Sequence, residues 1–277
     1  MSLMLKLLIT IVLLSSFVYA NTASEKIEDF LEDKFIKNPR LKSVEVNVES
    51  VTPLKQLPKW NAYIVDVKAV LKTKPKQLIN QKMIWFSNGE LITKDLIDID
   101  TGESLVKKVK PKVKAKHYTK ENLIYGDADA KHKVMIFSDP LCPFCKGFVP
   151  GALKNMKKEP QKFAVYYYHL PLERLHPASI TLVKATIAAE HKGVKDVVLK
   201  LYDVKINPRE KDVKKILKAF NEAVGTNITP KEITSPSVVK QFNHDKFVAN
   251  DLMVAGTPTL YLDGVVDETK KKYLKVK

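Results

Sequence analysis

Cysteine is scarce in this sequence: the 277 residues include only two, Cys142 and Cys145, which lie three positions apart. A disulfide stabilises a fold mainly by closing a long loop, and a bridge across two residues closes almost none. A structural zinc site needs four ligands, and no second cysteine pair is present to complete one. His132, His169 and His176 could contribute ligands, but they lack paired spacing. We therefore predict no metal and no cofactor, so the two thiols need another role.

No cysteine lies near the N-terminal apolar segment, which argues against lipoprotein processing. One lysine precedes the run LLITIVLLSSFV, and the segment ends in VYA at Ala20, with small residues at its last and third-last positions. This order is typical of a cleavable secretory signal peptide, which we predict over residues 1–20. The run is too short for a comfortable membrane span, so an uncleaved anchor is the weaker alternative. We expect the mature chain to begin near Asn21 and to work outside the cytoplasm, where disulfides persist.

Acidic residues are outnumbered, with 31 Asp and Glu against 47 Lys and Arg and a formal net charge of +16. A strongly basic surface can favour anionic partners, although a solvated lysine-rich surface is the simpler interpretation. No nucleic-acid-binding motif accompanies the charge, and a secreted chain would rarely meet nucleic acid. We predict no nucleic-acid partner.

Acids are absent between Glu103 and Glu121, a stretch that contains seven lysines. Pro111 interrupts any continuous helix through it. We interpret residues 103–121 as a solvated basic linker between two domains, with a basic recognition arm as the alternative.

The segment before this linker, residues 21–102, has the pattern of a small α+β domain. Apolar residues recur first at helical spacing and then in strand-like alternation. One hairpin turn would use Asn88 and Gly89, and the β pattern would continue to a turn at Gly102. We predict a helix and then antiparallel strands, in the order SEKIEDFLEDKFIK, VEVNVES, WNAYIVDVKAVL, MIWFSNGELIT and DLIDIDTGES.

The segment after the linker, residues 122–277, has the pattern of an α/β domain. The strand KVMIFS leads directly into a helix that begins at Cys142, and a second strand follows. A strand–helix–strand order predicts a parallel pair joined by a crossover. In the helical block that comes next, one amphipathic helix is predicted to open at Pro208 and close at Gly225. A strand pair in GTPTLYLDGVV completes the domain.

A strand that runs into Cys-Pro-Phe-Cys at the beginning of a helix is the context of a redox pair. The free N–H groups and the positive end of the helix dipole favour a thiolate at Cys142, and Pro143 suits the first helical turn. Cys145, one turn later, is expected to be more buried. Cys142 would then attack or be attacked, and Cys145 would resolve the mixed disulfide. The strand KVMIFS contains no acid, so it predicts no buried carboxylate beside the motif.

The segments FSDPLCPFCKGF and GTPTLYLDG, with the helical block between them, resemble the periplasmic thiol:disulfide interchange proteins of the DsbA/DsbC/DsbG group. The resemblance covers nearly the whole mature chain. It implies a thioredoxin fold with a helical insertion at about residues 172–254. It also implies that Pro258 is a cis-proline facing the active site, and that Thr257 offers backbone groups to a substrate peptide. Pro143 and Phe144 would support the site.

Two residues resemble the DsbC/DsbG branch of this group. Its isomerases typically have an aromatic residue at the third motif position, here Phe144, and threonine before the cis-proline, here Thr257. The segment FSNGELITKDLIDIDTGESL is similar to the cystatin-like dimerisation domain of DsbC and DsbG, so residues 21–102 are expected to form a dimer interface. The segment HLPLERLHPAS resembles DsbA-type sequences instead, so the direction of the redox cycle stays open.

The resemblance implies an enzyme: a periplasmic thiol:disulfide oxidoreductase that isomerises or reduces disulfides in exported proteins. It further implies a homodimer with chaperone activity, and a membrane reductant of the DsbD type as its redox partner. One alternative is a dithiol oxidase that introduces disulfides and depends on a quinone-linked membrane oxidant. The other is a holdase chaperone in which the thiols are secondary.

Overall fold

The computed structural model describes residues 23–277, except for the side chains of residues 74–77. The predicted signal peptide, residues 1–20, lies outside this range. The chain divides into two compact units with the boundary between Lys110 and Pro111. In the part of the chain that is described, no helix is long and apolar enough to cross a membrane.

The first unit is an antiparallel sheet with a helix packed against it. The helix α1 spans residues 23–36, and α2 is a single turn. The remaining bounds are Leu41–Pro53 for β1, Asn61–Leu71 for β2, Lys74–Ser87 for β3, Ile92–Thr93 for β4 and Val106–Val109 for α2. The strands pair in chain order, each antiparallel to the next. The predicted helix, the strands up to the hairpin and the hairpin itself are confirmed, with Gly89 at a φ of 91° in the hairpin loop.

The apolar faces of α1 and of the strands pack together in one core. Ile27 and Leu31, one turn apart on α1, are buried against Val65 of β2 and Trp85 of β3. Fully burying an aliphatic side chain of this size contributes about 2 kcal/mol, so these contacts fix the helix to the sheet.

The outer edge of β1 is partly covered by α1. The Glu32 carboxylate accepts the backbone N–H of Val46 at 2.7 Å, and the Glu28 carboxylate accepts that of Val48 at 2.6 Å. These N–H groups are therefore not available to pair with another strand, whereas an unprotected edge invites such pairing.

The predicted continuation of the β pattern through DLIDIDTGES is wrong. Only an isolated bridge forms, between Ile97 and Ser104. The Asp98 carboxylate accepts the Thr101 N–H at 3.0 Å, and Gly102 has a φ of 67°. Side-chain hydrogen bonds of this kind satisfy the backbone locally and compete with a strand ladder.

The second unit is a mixed sheet flanked by helices. Its strands are β5 Leu123–Tyr125, β6 His132–Ser138, β7 Phe163–His169, β8 Thr259–Leu262 and β9 Val265–Val266. Its helices are α3 Pro143–Lys157, α4 Ala178–His191, α5 Val197–Leu201, α6 Val213–Val224 and α7 Pro236–Asp251. The sheet order is β5-β7-β6-β8-β9. The predicted parallel pair is β6 and β7, joined by α3, whereas β8 is antiparallel to β6.

The helices α4 to α7 lie between β7 and β8 in the chain and share an apolar core of their own. Leu182 and Ile187 of α4 pack with Phe220 of α6 and Phe242 of α7. We refer to residues 172–254 as the insertion.

The predicted opening of α6 at Pro208 is wrong, because the helix begins at Val213. The Asp212 side chain accepts the N–H groups of Lys214 and Lys215 at 2.9 and 3.3 Å. Such a cap contributes about 1 kcal/mol, so Asp212 is a stronger signal for the beginning of the helix than Pro208, four positions earlier. The predicted end at Gly225 is confirmed, with a φ of 78°.

Part of the stretch interpreted as a solvated linker is folded into the second unit. His117 is buried, accepts the Lys114 N–H at its Nδ1 atom, and lies 2.7 Å from the Asp251 carboxylate through Nε2. Asp251 is too distant in sequence for the lysine-rich composition to indicate this contact.

Candidate redox active site

The two cysteines lie where β6 turns into α3. Cys142 is the N-cap residue, with extended backbone angles, and Pro143 occupies the first helical position. The Cys142 N–H donates to the Asp139 carbonyl oxygen at 3.2 Å, and the Lys146 N–H donates to the Cys142 carbonyl at 3.0 Å. Proline has no N–H to lose at this position, so the first helical residue leaves no orphaned donor.

Both thiols are enclosed, although the sequence interpretation expected this only of Cys145. Cys142 exposes 4 % of its surface and Cys145 none. The order of exposure agrees with a nucleophile and a resolving partner, but the difference is small. The Phe144 side chain between them is 78 % exposed, so the motif presents an aromatic ring to the outside and keeps its sulfurs beneath.

The pKa of the Cys145 thiol is raised to about 11, mainly by burial and also by the nearby Cys142. The nearby side chains of Ser138 and Thr257 and the Asp139 backbone oppose this shift. Cys145 is therefore a neutral thiol at physiological pH, as a resolving cysteine is before its turn in the cycle.

The loop before β8 faces the cysteines. The Thr257–Pro258 peptide bond is cis. The Cys142 thiol donates to the Thr257 carbonyl oxygen, with 3.7 Å between sulfur and oxygen. The structure thus brings together Cys142, Cys145, Thr257 and Pro258 from two segments that are more than a hundred positions apart in the sequence.

A groove of about 480 Å³ opens beside the motif. Phe144, Phe148 and Pro258 contribute to its apolar lining, and a second wall comes from the segment after Asp267, with Thr269, Lys270, Lys271, Tyr273 and Leu274. The buried Asp267 carboxylate fixes this wall by accepting the backbone N–H groups of Thr269 at 3.0 Å and Lys272 at 2.8 Å. A concave apolar surface at the reacting cysteines is suited to a peptide side chain.

The profile of the Thioredoxin family matches residues 118–277. The chain belongs to the thioredoxin family. Similar solved structures include BdbD from Bacillus subtilis in its oxidised form (18 % identity, 60 % of this chain and 92 % of that one, TM-score 0.46). Others are the catalytic domain of Proteus mirabilis ScsC (22 %, 55 % and 85 %, TM-score 0.40) and the thiol-disulfide exchange protein alpha-DsbA2 from Wolbachia pipientis (18 %, 55 % and 82 %, TM-score 0.44). No curated protein matches the chain.

A buried carboxylate lies next to the motif of this thioredoxin unit, and the sequence interpretation missed it. Asp139 has no exposed surface. Its Oδ1 atom accepts the Leu141 N–H and the Ser179 hydroxyl, each at 2.7 Å. Its Oδ2 atom accepts the Leu172 N–H at 2.6 Å and lies 3.0 Å from His176 Nδ1. Asp139 follows the strand KVMIFS directly, so its place in FSDPLC was the available signal.

The bonds of Asp139 tie the turn before Cys142 to the beginning of the insertion. Two of its partners belong to the turn or to the segment after β7, and two are side chains near the start of α4. A carboxylate with all of its acceptor positions used holds a loop in one conformation.

The histidines considered as metal ligands in the thioredoxin unit lie at separate places. His132 contacts Asp263 at 2.8 Å, His169 lies 4.0 Å from Glu190, and His176 contacts Asp139. Over residues 23–277, no group of three or more His, Cys, Asp or Glu side chains is arranged to hold a metal ion.

Proposed function

We propose that this protein is a periplasmic thiol–disulfide oxidoreductase that reduces or isomerises disulfides in exported proteins through Cys142 and Cys145. The observation that carries the proposal is the position of Cys142, at the beginning of α3 and 3.7 Å from the Thr257 carbonyl of the cis-proline loop, in a chain of the thioredoxin family. Alpha-DsbA2 from Wolbachia pipientis, to which this chain is similar, is a thiol-disulfide exchange protein. The predicted signal peptide supports the periplasmic setting.

The reaction needs no group beyond the two thiols and the substrate. The Cys142 thiolate attacks one sulfur of a substrate disulfide, a bond forms between them, and the other substrate sulfur leaves as a thiolate. In isomerisation a second substrate thiolate attacks this mixed disulfide and releases Cys142 unchanged. In reduction Cys145 attacks Cys142, so the substrate leaves with two thiols and the protein becomes oxidised.

The in-cell redox state of the cysteines tests the direction of this cycle. We expect Cys142 and Cys145 to be mostly reduced when the thiols of growing cells are trapped with an alkylating mass tag, because a reductase or isomerase must be kept reduced by a membrane donor. Mostly oxidised cysteines would instead assign the protein as a dithiol oxidase fed by a quinone-linked oxidant.

The groove suggests which peptides react fastest. Lys270 and Lys271 line it beside the apolar residues, and neither has a carboxylate partner among the described residues. An acidic side chain near the substrate cysteine would supply that partner and speed encounter.

We expect Lys270→Glu/Lys271→Glu to slow reaction with an acidic peptide disulfide about fivefold, and to leave a neutral peptide of the same length unaffected. Stopped-flow measurement at low salt gives both rates. The control, Lys211→Glu/Lys214→Glu, changes the net charge equally at exposed positions that do not line the groove. An equal loss in the control would assign the effect to the overall field and contradict the role of the groove.

The first unit is proposed to join two copies of the chain. It exposes Leu91, Ile97 and Ile99 by 64, 65 and 96 % of their surfaces, and such side chains favour association. Glu28 and Glu32 cover the middle of the β1 edge. We therefore propose that the dimer contact lies on the segment from Leu91 to Ile99 rather than on that edge.

We expect Ile97→Asp/Ile99→Asp to convert a dimer to a monomer, because two charges would be buried without partners in the interface. Light scattering reports the change as a halved mass. Phe247→Asp, which removes a side chain exposed by 55 % in the thioredoxin unit, should leave the dimer intact. A dimer that survives the double substitution would place the interface elsewhere.

A further inference from the structure

Three hydroxyl groups form a row in the core of the thioredoxin unit. Ser138 ends β6, Tyr167 lies in β7, and Tyr202 follows α5 in the insertion. The Ser138 and Tyr202 oxygens are 2.7 Å apart, and the Tyr202 and Tyr167 oxygens are also 2.7 Å apart. All three side chains are buried, and both tyrosines belong to the apolar cluster that contains Cys142 and Cys145.

The burial of this row determines the direction of its hydrogen bonds. Within the described part of the chain, the Tyr167 hydroxyl has Tyr202 as its one hydrogen-bond partner. A buried hydroxyl that does not donate leaves an unsatisfied donor, which costs about 1–3 kcal/mol. Tyr167 therefore donates to Tyr202. Tyr202 then donates to Ser138, and the Ser138 proton is left for a further acceptor, with the Cys145 thiol close by.

A second hydroxyl approaches the same sulfur from the cis-proline loop. The Thr257 Oγ1 atom is buried and makes no full hydrogen bond in the resting structure. The Thr257 hydroxyl lies near the Cys145 thiol, as the Ser138 hydroxyl does, and both act to lower the pKa of that thiol. A buried hydroxyl without a partner can donate a hydrogen bond to a neighbouring thiol once that thiol loses its proton, because the thiolate is then a strong acceptor.

We propose that Ser138 and Thr257 are catalytic residues that donate hydrogen bonds to the Cys145 thiolate, and that Tyr202 and Tyr167 are positioning residues that orient the Ser138 proton. This inference rests on the proposed function. A chain of aligned hydroxyls strengthens each of its bonds in a low-dielectric interior, so three neutral groups can stabilise an anion where burial alone would oppose it. The Asp139 carboxylate cannot take this role, because other donors occupy both of its oxygens.

The donors would act in the resolving step. Cys145 loses its proton and attacks Cys142 in the mixed disulfide. The bond between the two protein sulfurs forms, the bond from Cys142 to the substrate sulfur breaks, and the electron pair leaves with the substrate. The Cys145 proton passes, directly or through solvent, to the departing substrate thiolate. The protein pair is oxidised and the substrate disulfide is reduced.

A two-phase reaction of the reduced, full-length protein separates this step from the first attack. An aromatic disulfide with a coloured leaving thiol releases one thiol when Cys142 attacks and a second when Cys145 attacks. We expect Tyr202→Phe and Ser138→Ala to leave the first phase unchanged and to slow the second about tenfold, which corresponds to about one pKa unit. Ser138→Thr, which keeps the hydroxyl, should restore most of the rate.

The control is Tyr166→Phe. Tyr166 is buried in β7, next to Tyr167, but it belongs to a different apolar cluster and is not part of the row. A second readout is the pKa of Cys145 in the Cys142→Ala background, followed by the ultraviolet absorbance of the thiolate. It should rise by about one unit with Tyr202→Phe and not with Tyr166→Phe.

Second-phase rates within twofold of the wild type in both Tyr202→Phe and Ser138→Ala would overturn the donor row and leave the proposed function standing. Absence of the first phase in the wild type would overturn the proposed function itself. If Tyr202→Phe does not fold, Ser138→Ala and its threonine counterpart decide the question alone.

Discussion

Cys142→Ala is expected to abolish the reduction of a disulfide substrate such as insulin, to the level of the uncatalysed reaction. Cys142 is the only thiol at the helix end and beside the cis-proline carbonyl, and Cys145 is fully buried with a pKa of about 11. A neutral buried thiol is a poor nucleophile, so Cys145 cannot replace it. The measurement is turbidity of the insulin chains that precipitate after reduction.

Cys145→Ala is the matched variant. It keeps the first attack but loses the resolving step, so we expect a mixed disulfide with substrate to accumulate and to be visible on a non-reducing gel. Suppression of aggregation by Cys142→Ala should equal that of the wild type if the chain also acts as a chaperone. Insulin reduction that persists in Cys142→Ala would contradict the catalytic assignment.

Asp139→Ala is expected to lower the free energy of unfolding by about 3 kcal/mol, the usual result of breaking a buried, fully bonded charged group. The substitution leaves the N–H groups of Leu141 and Leu172 and the Ser179 hydroxyl without their acceptor inside the fold. Urea unfolding followed by circular dichroism measures the change, provided that the slope with denaturant is unchanged.

The size of this effect depends on burial, and Asp129 provides the comparison. Asp129 is exposed in the same unit, so Asp129→Ala should change the unfolding free energy by less than about 0.5 kcal/mol. Asp139→Asn should lie between the two, because an amide oxygen can still accept from one pair of donors. Equal stability of Asp139→Ala and Asp129→Ala would show that the turn before Cys142 does not depend on this carboxylate.

The features that sequence predicted well are those encoded within a few neighbouring positions. Proline after Cys142 and a strand before it predict the β6–α3 junction, and alternation of apolar residues predicts β1 and β2. The cis bond at Pro258 was implied by resemblance rather than by any local pattern.

The features that sequence missed depend on partners far away in the chain. Nothing near Asp139 indicates that the insertion will supply His176 and Ser179 to it, and nothing near Tyr202 places its hydroxyl beside Ser138. The opening of α6 failed for a local reason, because Asp212 is a stronger N-terminal signal than Pro208. Charge composition alone also gave no sign that His117 would be buried against Asp251.

Transfer of the Cys-Pro-Phe-Cys motif to another protein would require the insertion as well, because the insertion supplies contacts to the motif. A scaffold of β5 to β9 and α3 alone could accept Cys-Pro-Phe-Cys without difficulty, since the junction is locally encoded. It would nevertheless lack Ser179 and His176, which restrain the turn, and Tyr202, which completes the row of hydroxyls. The motif is therefore not sufficient on its own. A host protein would reproduce its chemistry only if it also carried the helices of the insertion.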